Sequence, residues 1–338
     1  MIDATVAIVG AGPIGVELAV CLQQQGISTI HFEAGRLGET IASWPPKTRF
    51  LSEPEWIQIP GLPIDSAHQE RPLGEEYLRY LRHVVKRHNL DVRLFEPVIA
   101  LEPRDDGWTV RSRRSGQEQS SVVRYVVLTI GDMAAPRRLG VGGEDLPHVH
   151  HRLKRSHAYF RRRVLVVGGA NSAVEAVLRI HRIGGSVALA CAEEHLPLEL
   201  ISPKLQPGIS ELIDSNAIDF LPSRAVTEFT PTGAIVANSH GRLTADPDAP
   251  REEIPADVVL VQIGYEGDFT LFEDAGGSFA TPHGPPSHNP NTMETNLNGV
   301  YVAGTAVGGK QPGHEEFIQT SHVHVSRIVV DIRRRESE

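Results

Sequence analysis

TVAIVGAGPIG, residues 5–15, decides the fold of this chain. Thr5 to Val9 is a β-branched apolar run that reads as a strand, and Ile14 to Gln25 reads as a helix. Between them Gly10 allows a tight turn, Gly12 lets the backbone approach a pyrophosphate, and Gly15 lets helix and strand come close. The helix N-terminus presents unpaired N–H groups and a positive dipole end to phosphate. A second strand, Ser28 to Phe32, ends at Glu33, 23 residues past Gly10. A carboxylate there can accept hydrogen bonds from both ribose hydroxyls of an adenosine. A lone GxGxxG is a weak signal; strand, loop, helix, strand and terminal Glu in register form a much stronger one.

The same arrangement returns 158 residues later. Val164 to Val167 is an apolar strand, GGANSA at 168–173 is the loop, and Ser172 to Ile183 reads as its helix. The next strand is Ser186 to Ala190. Two such units in one chain imply two bound dinucleotides. The commonest reason to hold two side by side is to move a hydride between a nicotinamide and a flavin.

Composition fits an α/β protein of about two domains. The chain has 338 residues, 40% of them hydrophobic, and 31 glycines. No apolar stretch approaches the roughly 18 residues needed to span a bilayer. The N-terminal region carries the acidic Asp3 and loop glycines where a signal peptide would have its apolar segment, so the expectation is cytoplasmic. A net charge of −9 argues against nucleic acid as a partner, and nothing points to a membrane. Arg161 to Arg163 reads as a solvated edge before a strand. Two cysteines far apart imply no disulfide framework.

The order of elements is that of one domain interrupted by another. Helical spacing runs over 75–88, strands follow near 91–95, 108–112 and 122–129, and the last ends in Thr129-Ile130-Gly131-Asp132. After the second unit a β-rich stretch leads to Asp257–Gly264, a similar turn. Gly299 to Thr305 then reads as a strand returning to the first domain, followed by a closing helix from about Glu315, and 281–290 is loop. The expected fold class is therefore α/β with two Rossmann-like domains, the second inserted into the first. The expected segments are 1–147 and 261–338 for the first domain, and 148–260 for the inserted one.

These motifs resemble the two-dinucleotide flavoproteins of the thioredoxin reductase type, and within them the bacillithiol disulfide reductase family. The resemblance spans roughly 4–332. It rests on both loops and on GEDLPHV at 143–149 with His151 and His157, NSAVEA at 171–176, TMETN at 292–296, GVYVAG at 299–304, and Glu315 with Phe317 and Ile318. It implies FAD in the first domain, a nicotinamide dinucleotide in the second, and hydride passage through the flavin to a small disulfide or related low-molecular-weight acceptor. By the same resemblance Gly10, Gly12, Pro13, Ile14, Gly15 and Glu33 hold the FAD pyrophosphate and adenosine. Thr129 and Gly131 line the cofactor, and Gly304 and Thr305 sit by the ribityl chain and ring. Ser43, Trp44 and Pro45 lie against the isoalloxazine, with Phe317 and Ile318 opening the last helix nearby. Trp44 reads equally as a stacking wall or a core aromatic. Gly168, Gly169, Ala170, Asn171, Ser172, Ala173, Glu193 and Gly264 are the implied NAD(P) residues.

Two departures from the family pattern matter. Ile14 stands where that family typically has a cysteine, and no C-x-x-C pair exists, so no protein dithiol relays electrons. Cys21 reads as a small buried hydrophobe in a helix. In the second unit, 23 residues past Gly168 fall on Cys191, followed by Ala192, Glu193 and Glu194. NADP-using relatives place His and Arg here, because a guanidinium clamps the 2′-phosphate. Like charges about 4 Å apart at a partly wet surface repel by about 4 kcal/mol before screening. The expectation is NADH over NADPH, or a weakened site, with Ala170 adding a methyl where the pyrophosphate approaches.

Sixteen histidines invite a metal reading, but His148, His150 and His151 follow no ligand spacing, and no metal is expected. The linker histidines are expected to hydrogen-bond across the hinge. His314 and Glu315 are the candidate proton donors to the reduced product, against a capping or dipole role. Two other classes stay open: a ferredoxin–NADP reductase-like enzyme or flavin monooxygenase, and a non-catalytic FAD-binding redox sensor. Oligomeric state is open too, with a homodimer in view because flavoproteins of this shape often pair.

Overall fold

Val6 and Ile8 face one core of the protein, while Ala7 and Val9 face another. That period of two, apolar on both sides, is what a strand inside a doubly covered sheet requires. Val164 and Val166 against Leu165 and Val167 repeat the pattern in the second unit. The computed structural model describes residues 1–65, 70–246, 248–282, 284–309 and 316–338.

In the first unit the parallel strands Val92–Arg93, Thr29–Phe32, Ala4–Val9, Gln117–Leu128 and Val300–Val302 lie side by side in that order. Val98–Arg104 and Gly107–Arg114 add an antiparallel meander through Gln117–Leu128. The loop helix Pro13–Gln24 and the last helix Ile318–Ser337 cover one face, burying Leu18, Leu22, Val325, Ile328 and Ile332 against Val6 and Ile8. Each such side chain contributes about 1.5–3 kcal/mol on leaving water. Trp108, Val110 and Phe272 cover Ala7 and Val9 on the other face.

The second unit has a five-stranded parallel sheet in the order Asp219–Leu221, Ser186–Ala190, Arg163–Val167, Val258–Val261, Val149–His150. The helix Asn171–Arg182 buries Val174, Val177 and Ile180 on one face. The antiparallel strands Arg224–Thr230, Gly233–Asn238 and Glu252–Pro255 supply Phe229 and Val236 to the other.

The compact units comprise 1–135 with 266–338, and 136–265. The expected segments divide at 147/148 and 260/261 instead. Residues 136–147 fold onto the second unit: the Phe229 N–H donates to the Gly142 carbonyl at 2.8 Å. Leu139, Val141 and Leu146 pack on the core that holds Phe229. Several elements also differ in extent from their sequence reading. The strand near 91–95 is only Val92–Arg93, because Phe95 turns left-handed at φ +57°. The strand at 299–305 stops at Val302 and passes into a 3₁₀ turn, Gly304–Gly308. The last helix starts at Ile318 rather than near 315, since Phe317 is extended and its N–H donates to Thr320 Oγ1 at 2.9 Å.

Candidate cofactor sites and active site

Both glycine loops sit where a parallel strand has neighbours reached by opposite crossovers. In such sheets ligands bind in the crevice beyond the strand C-termini. In the first unit that crevice lies past Val9 and Leu128; in the second, past Val167 and Val261.

The three loop glycines of the first unit have three different reasons to be glycine. Gly10 has φ +107°, and a Cβ on it would strike the Thr129 carbonyl. Gly15 touches the Gly10 carbonyl so closely that no side chain fits, with Thr129 Oγ1 2.7 Å from a Cβ placed there. Gly12 differs: a Cβ there would meet nothing within 4 Å. Its missing side chain serves something other than the protein's own packing. Gly12 begins the helix without a side-chain cap, and no acid lies in the first turn. An open cradle at an uncapped helix N-terminus fits a pyrophosphate.

Around that cradle the chain is tightly bonded. Glu33 Oε2 accepts the Ala11 N–H at 2.7 Å and Oε1 accepts the Gly35 N–H at 2.8 Å. Burial raises the Glu33 pKa, and the two backbone bonds oppose that rise. Each oxygen keeps a second lone pair for a ribose hydroxyl. Thr129 Oγ1 donates to the Gly10 carbonyl (2.7 Å), and His31 Nε2 lies 2.9 Å from the same oxygen. A carbonyl only accepts, so Nε2 carries the proton; burial lowers the His31 pKa to about 4, leaving a neutral ring. His31 was missed in the sequence, where its only signal was a polar residue inside an apolar strand.

The sheet end brings several expected residues together. A Cβ on Gly131 would stand 3.8 Å from Thr305 Oγ1, and one on Gly304 would stand 3.5 Å from Ile14. Ile14 is buried, an apolar wall where a thiol was the family expectation. Trp44 is partly buried and packs on Phe50, ring centroids 4.7 Å apart, and on Gly74. Ser43 Oγ bonds the Thr40 carbonyl, and the Pro45 carbonyl accepts Thr48 Oγ1. Phe317 is exposed, and Ile318 packs against the core under the loop helix. His314 and Glu315 lie outside the described residues.

An acid–base pair, invisible in the sequence, joins the loop helix to the last helix. His322 Nδ1 is 2.6 Å from Glu17 Oε2, and its Nε2 is 3.1 Å from the Trp56 carbonyl. Glu17 is 2% exposed. Burial raises the Glu17 pKa, and the bond to Glu17 raises that of His322.

In the second unit Gly168 (φ +137°) meets the Gln262 carbonyl as Gly10 meets that of Thr129. Ala170 begins the helix in the place of Gly12, and Ala173 takes that of Gly15. Asn171 Oδ1 accepts the Ser202 N–H at 2.7 Å. Gly264 turns at φ +95° beyond the strand Val258–Val261. Glu193 is exposed beside the loop. His151 bonds Glu144 at 2.9 Å within this unit, which corrects the expected bond across the hinge. Among the described residues no cluster of three or more His, Cys, Asp or Glu could hold a metal. Nor is any helix among them long and apolar enough to cross a membrane. Cys21 and Cys191 are both free, and burial raises their pKa values to about 11 and about 12.

Residues 7–304 match the family described as pyridine nucleotide-disulphide oxidoreductase. The chain belongs to that family. The oxidoreductase is 30% identical over 338 residues to bacilliredoxin reductase Bdr of Bacillus subtilis (strain 168), covering both chains completely. The structure of bacillithiol disulfide reductase Bdr (YpdA) from Bacillus cereus matches with a TM-score of 0.90 at 28% identity, over 98% of this chain and 99% of that one. Thioredoxin reductase of T. acidophilum shares the fold, with a TM-score of 0.75 at 17% identity over the whole of both chains. The oxidoreductase is thus an enzyme that works with FAD and a nicotinamide dinucleotide.

Proposed function

We propose that this oxidoreductase reduces a low-molecular-weight disulfide or a closely related acceptor, taking electrons from NADH in preference to NADPH. The relatives named for bacilliredoxin and bacillithiol disulfide support the substrate class. One disulfide, one NADH and one proton give two thiols and NAD⁺. Bound FAD supplies the redox chemistry between nicotinamide and acceptor. The single observation that carries the reading is the Gly12 cradle, open and uncapped at the switch point of the first sheet.

The residues of the first unit have separable tasks. The loop glycines and the N-terminus of the helix at Pro13 hold the FAD pyrophosphate, and Glu33 holds its adenosine ribose. Gly131, Gly304 and Thr305 bound the ring-proximal end, Thr305 with a hydroxyl and Ile14 with an apolar surface that excludes water there. Ser43, Trp44, Pro45, Phe317 and Ile318 form the outer walls. His314 and Glu315 are proposed as proton donors from their sequence position shortly before the last helix. In the second unit Gly168 to Ala173, Glu193 and Gly264 take the nicotinamide dinucleotide. Both thiols are held protonated near neutral pH by burial, so neither serves as an electron relay.

The test begins with a visible spectrum of the purified protein, then anaerobic mixing with each nucleotide and a panel of disulfides. Yellow protein, bleached faster by NADH and recoloured by a disulfide, is the expected result. A folded, colourless preparation that takes up no FAD would defeat the reading, and a large NADPH preference would defeat its nucleotide half.

A further inference from the structure

Cys191 stands where Glu33 stands in the first unit, each 23 residues past the first glycine of its loop. In the first unit the carboxylate at that place bonds the Ala11 N–H. In the second a thiol takes the place, and the carboxylate arrives two residues later by another route. Cys191 Sγ donates to Glu193 Oε2 at 3.2 Å. That oxygen lies 3.6 Å from where a Cβ on Gly169, the counterpart of Ala11, would stand, with Cys191 Sγ at 2.8 Å.

The detour is pinned along its backbone. The Arg224 N–H donates to the Cys191 carbonyl at 2.8 Å, and the Ser223 N–H to that of Glu193 at 2.9 Å. Between them the Ala192 carbonyl accepts both the Ser239 hydroxyl at 2.7 Å and the Gly241 N–H at 3.1 Å. Three consecutive carbonyls are therefore held by residues at the ends of the antiparallel strands Arg224–Thr230 and Gly233–Asn238. Glu193 keeps only its side-chain torsions, and the thiol bond restrains those.

We propose that Cys191 is a positioning residue: its thiol holds the displaced Glu193 carboxylate against the loop, where it reads the 2′ position of the adenosine ribose. Fixed there, the carboxylate accepts from a free hydroxyl and repels a 2′-phosphate it cannot swing away from. The proposal rests on the reading of the second loop as the nucleotide site. Burial, then the bond to Glu193, raises the thiol pKa to about 12, so the sulfur keeps the proton that the bond requires.

ADP-ribose and 2′-phospho-ADP-ribose test this directly, since neither carries a reducing nicotinamide. Each is titrated calorimetrically into the holoenzyme, with thermal melting to confirm that every variant is folded. The wild type is expected to prefer ADP-ribose by about tenfold or more. Cys191→Ala should cut that preference at least about threefold, Cys191→Ser, which keeps a donor, should restore it, and Glu193→Gln should remove most of it. If Cys191→Ala keeps the wild-type ratio while Glu193→Gln loses it, or if Ser fails to restore it, the positioning role is overturned and the nucleotide site stands. If neither fragment binds, or the phosphorylated one binds as well or better, the underlying reading fails, and the proposal with it.

Discussion

The two glycine loops share a backbone plan and differ in what surrounds it. In the first, Gly12 leaves a gap and Glu33 is bonded straight to the loop. In the second, Ala170 occupies the matching place, and the nearby acid comes from Glu193. The helices differ as well. Glu17 and Glu175 occupy matching positions, but Glu17 is buried and pairs with His322, 305 residues away, whereas Glu175 pairs with Arg179 one turn along its own helix. The loop is thus a reusable frame, and the side chains around it set the units apart: a distant partner for the helix acid in the first, near neighbours in the second.

Side chains added to the first loop should have the largest effect. Gly15→Val drives carbon into the Gly10 carbonyl and should destabilise the first unit by about 3 kcal/mol or more, seen as a lowered melting temperature. Compared as flavin-free proteins, Gly12→Val should melt within about 1 kcal/mol of the wild type, yet after adding FAD only the wild type should retain it on gel filtration, because only a ligand needs that space. Equal melting of the two variants would erase the distinction drawn between these glycines.

The helix acids come next. His322→Ala leaves Glu17 buried without its imidazole and should cost about 2 kcal/mol, below a fully buried pair because His322 keeps partial contact with water. Glu175→Ala should cost about 0.5 kcal/mol or less. The pH dependence has a definite sign. Both Glu17 and His322 have raised values when folded, so the folded pair binds protons more tightly than the unfolded chain. Its contribution is largest at low pH. The His322 part is complete below its unfolded value of about 6.5 and is lost as pH rises through the higher folded value. Denaturant melts between about pH 6 and 8 should show this fall in the wild type and a flatter profile in His322→Gln.

Smaller effects sharpen the picture. Ala170→Gly removes the methyl at the second loop and should tighten nicotinamide dinucleotide binding by about 1 kcal/mol, roughly fivefold in Kd by calorimetry. Cys21→Ala should change turnover by less than about twofold, since a half-buried thiol held near 11 supplies no thiolate at neutral pH. A larger loss in steady-state turnover would reopen the question of a cysteine relay.

The frame was legible because it is local. Strand, loop, helix and strand lie within 30 residues, and their apolar periods and glycines can be counted directly. The order of the units was legible for the same reason. Their borders were not, because residues 136–147 are assigned by packing on Phe229 rather than by any signal of their own. His31 and Glu33 show the contrast within one strand. The terminal acid stands out by its count from Gly10, while the histidine matters only through the carbonyl it meets. Glu17 with His322, and Glu193 with Cys191, depend on side-chain geometry that spacing does not encode.

The Val300–Val302 strand closes the first sheet against Val126 to Leu128. As the polypeptide leaves the ribosome, that sheet stays one strand short until the whole inserted unit has been synthesised. The inserted unit runs unbroken from 136 to 265, so it reaches a closable length while its host is unfinished. Slow translation after residue 265 would therefore prolong a nascent state with the edge of Gln117–Leu128 bare, making that interval the one in which a holding chaperone matters most.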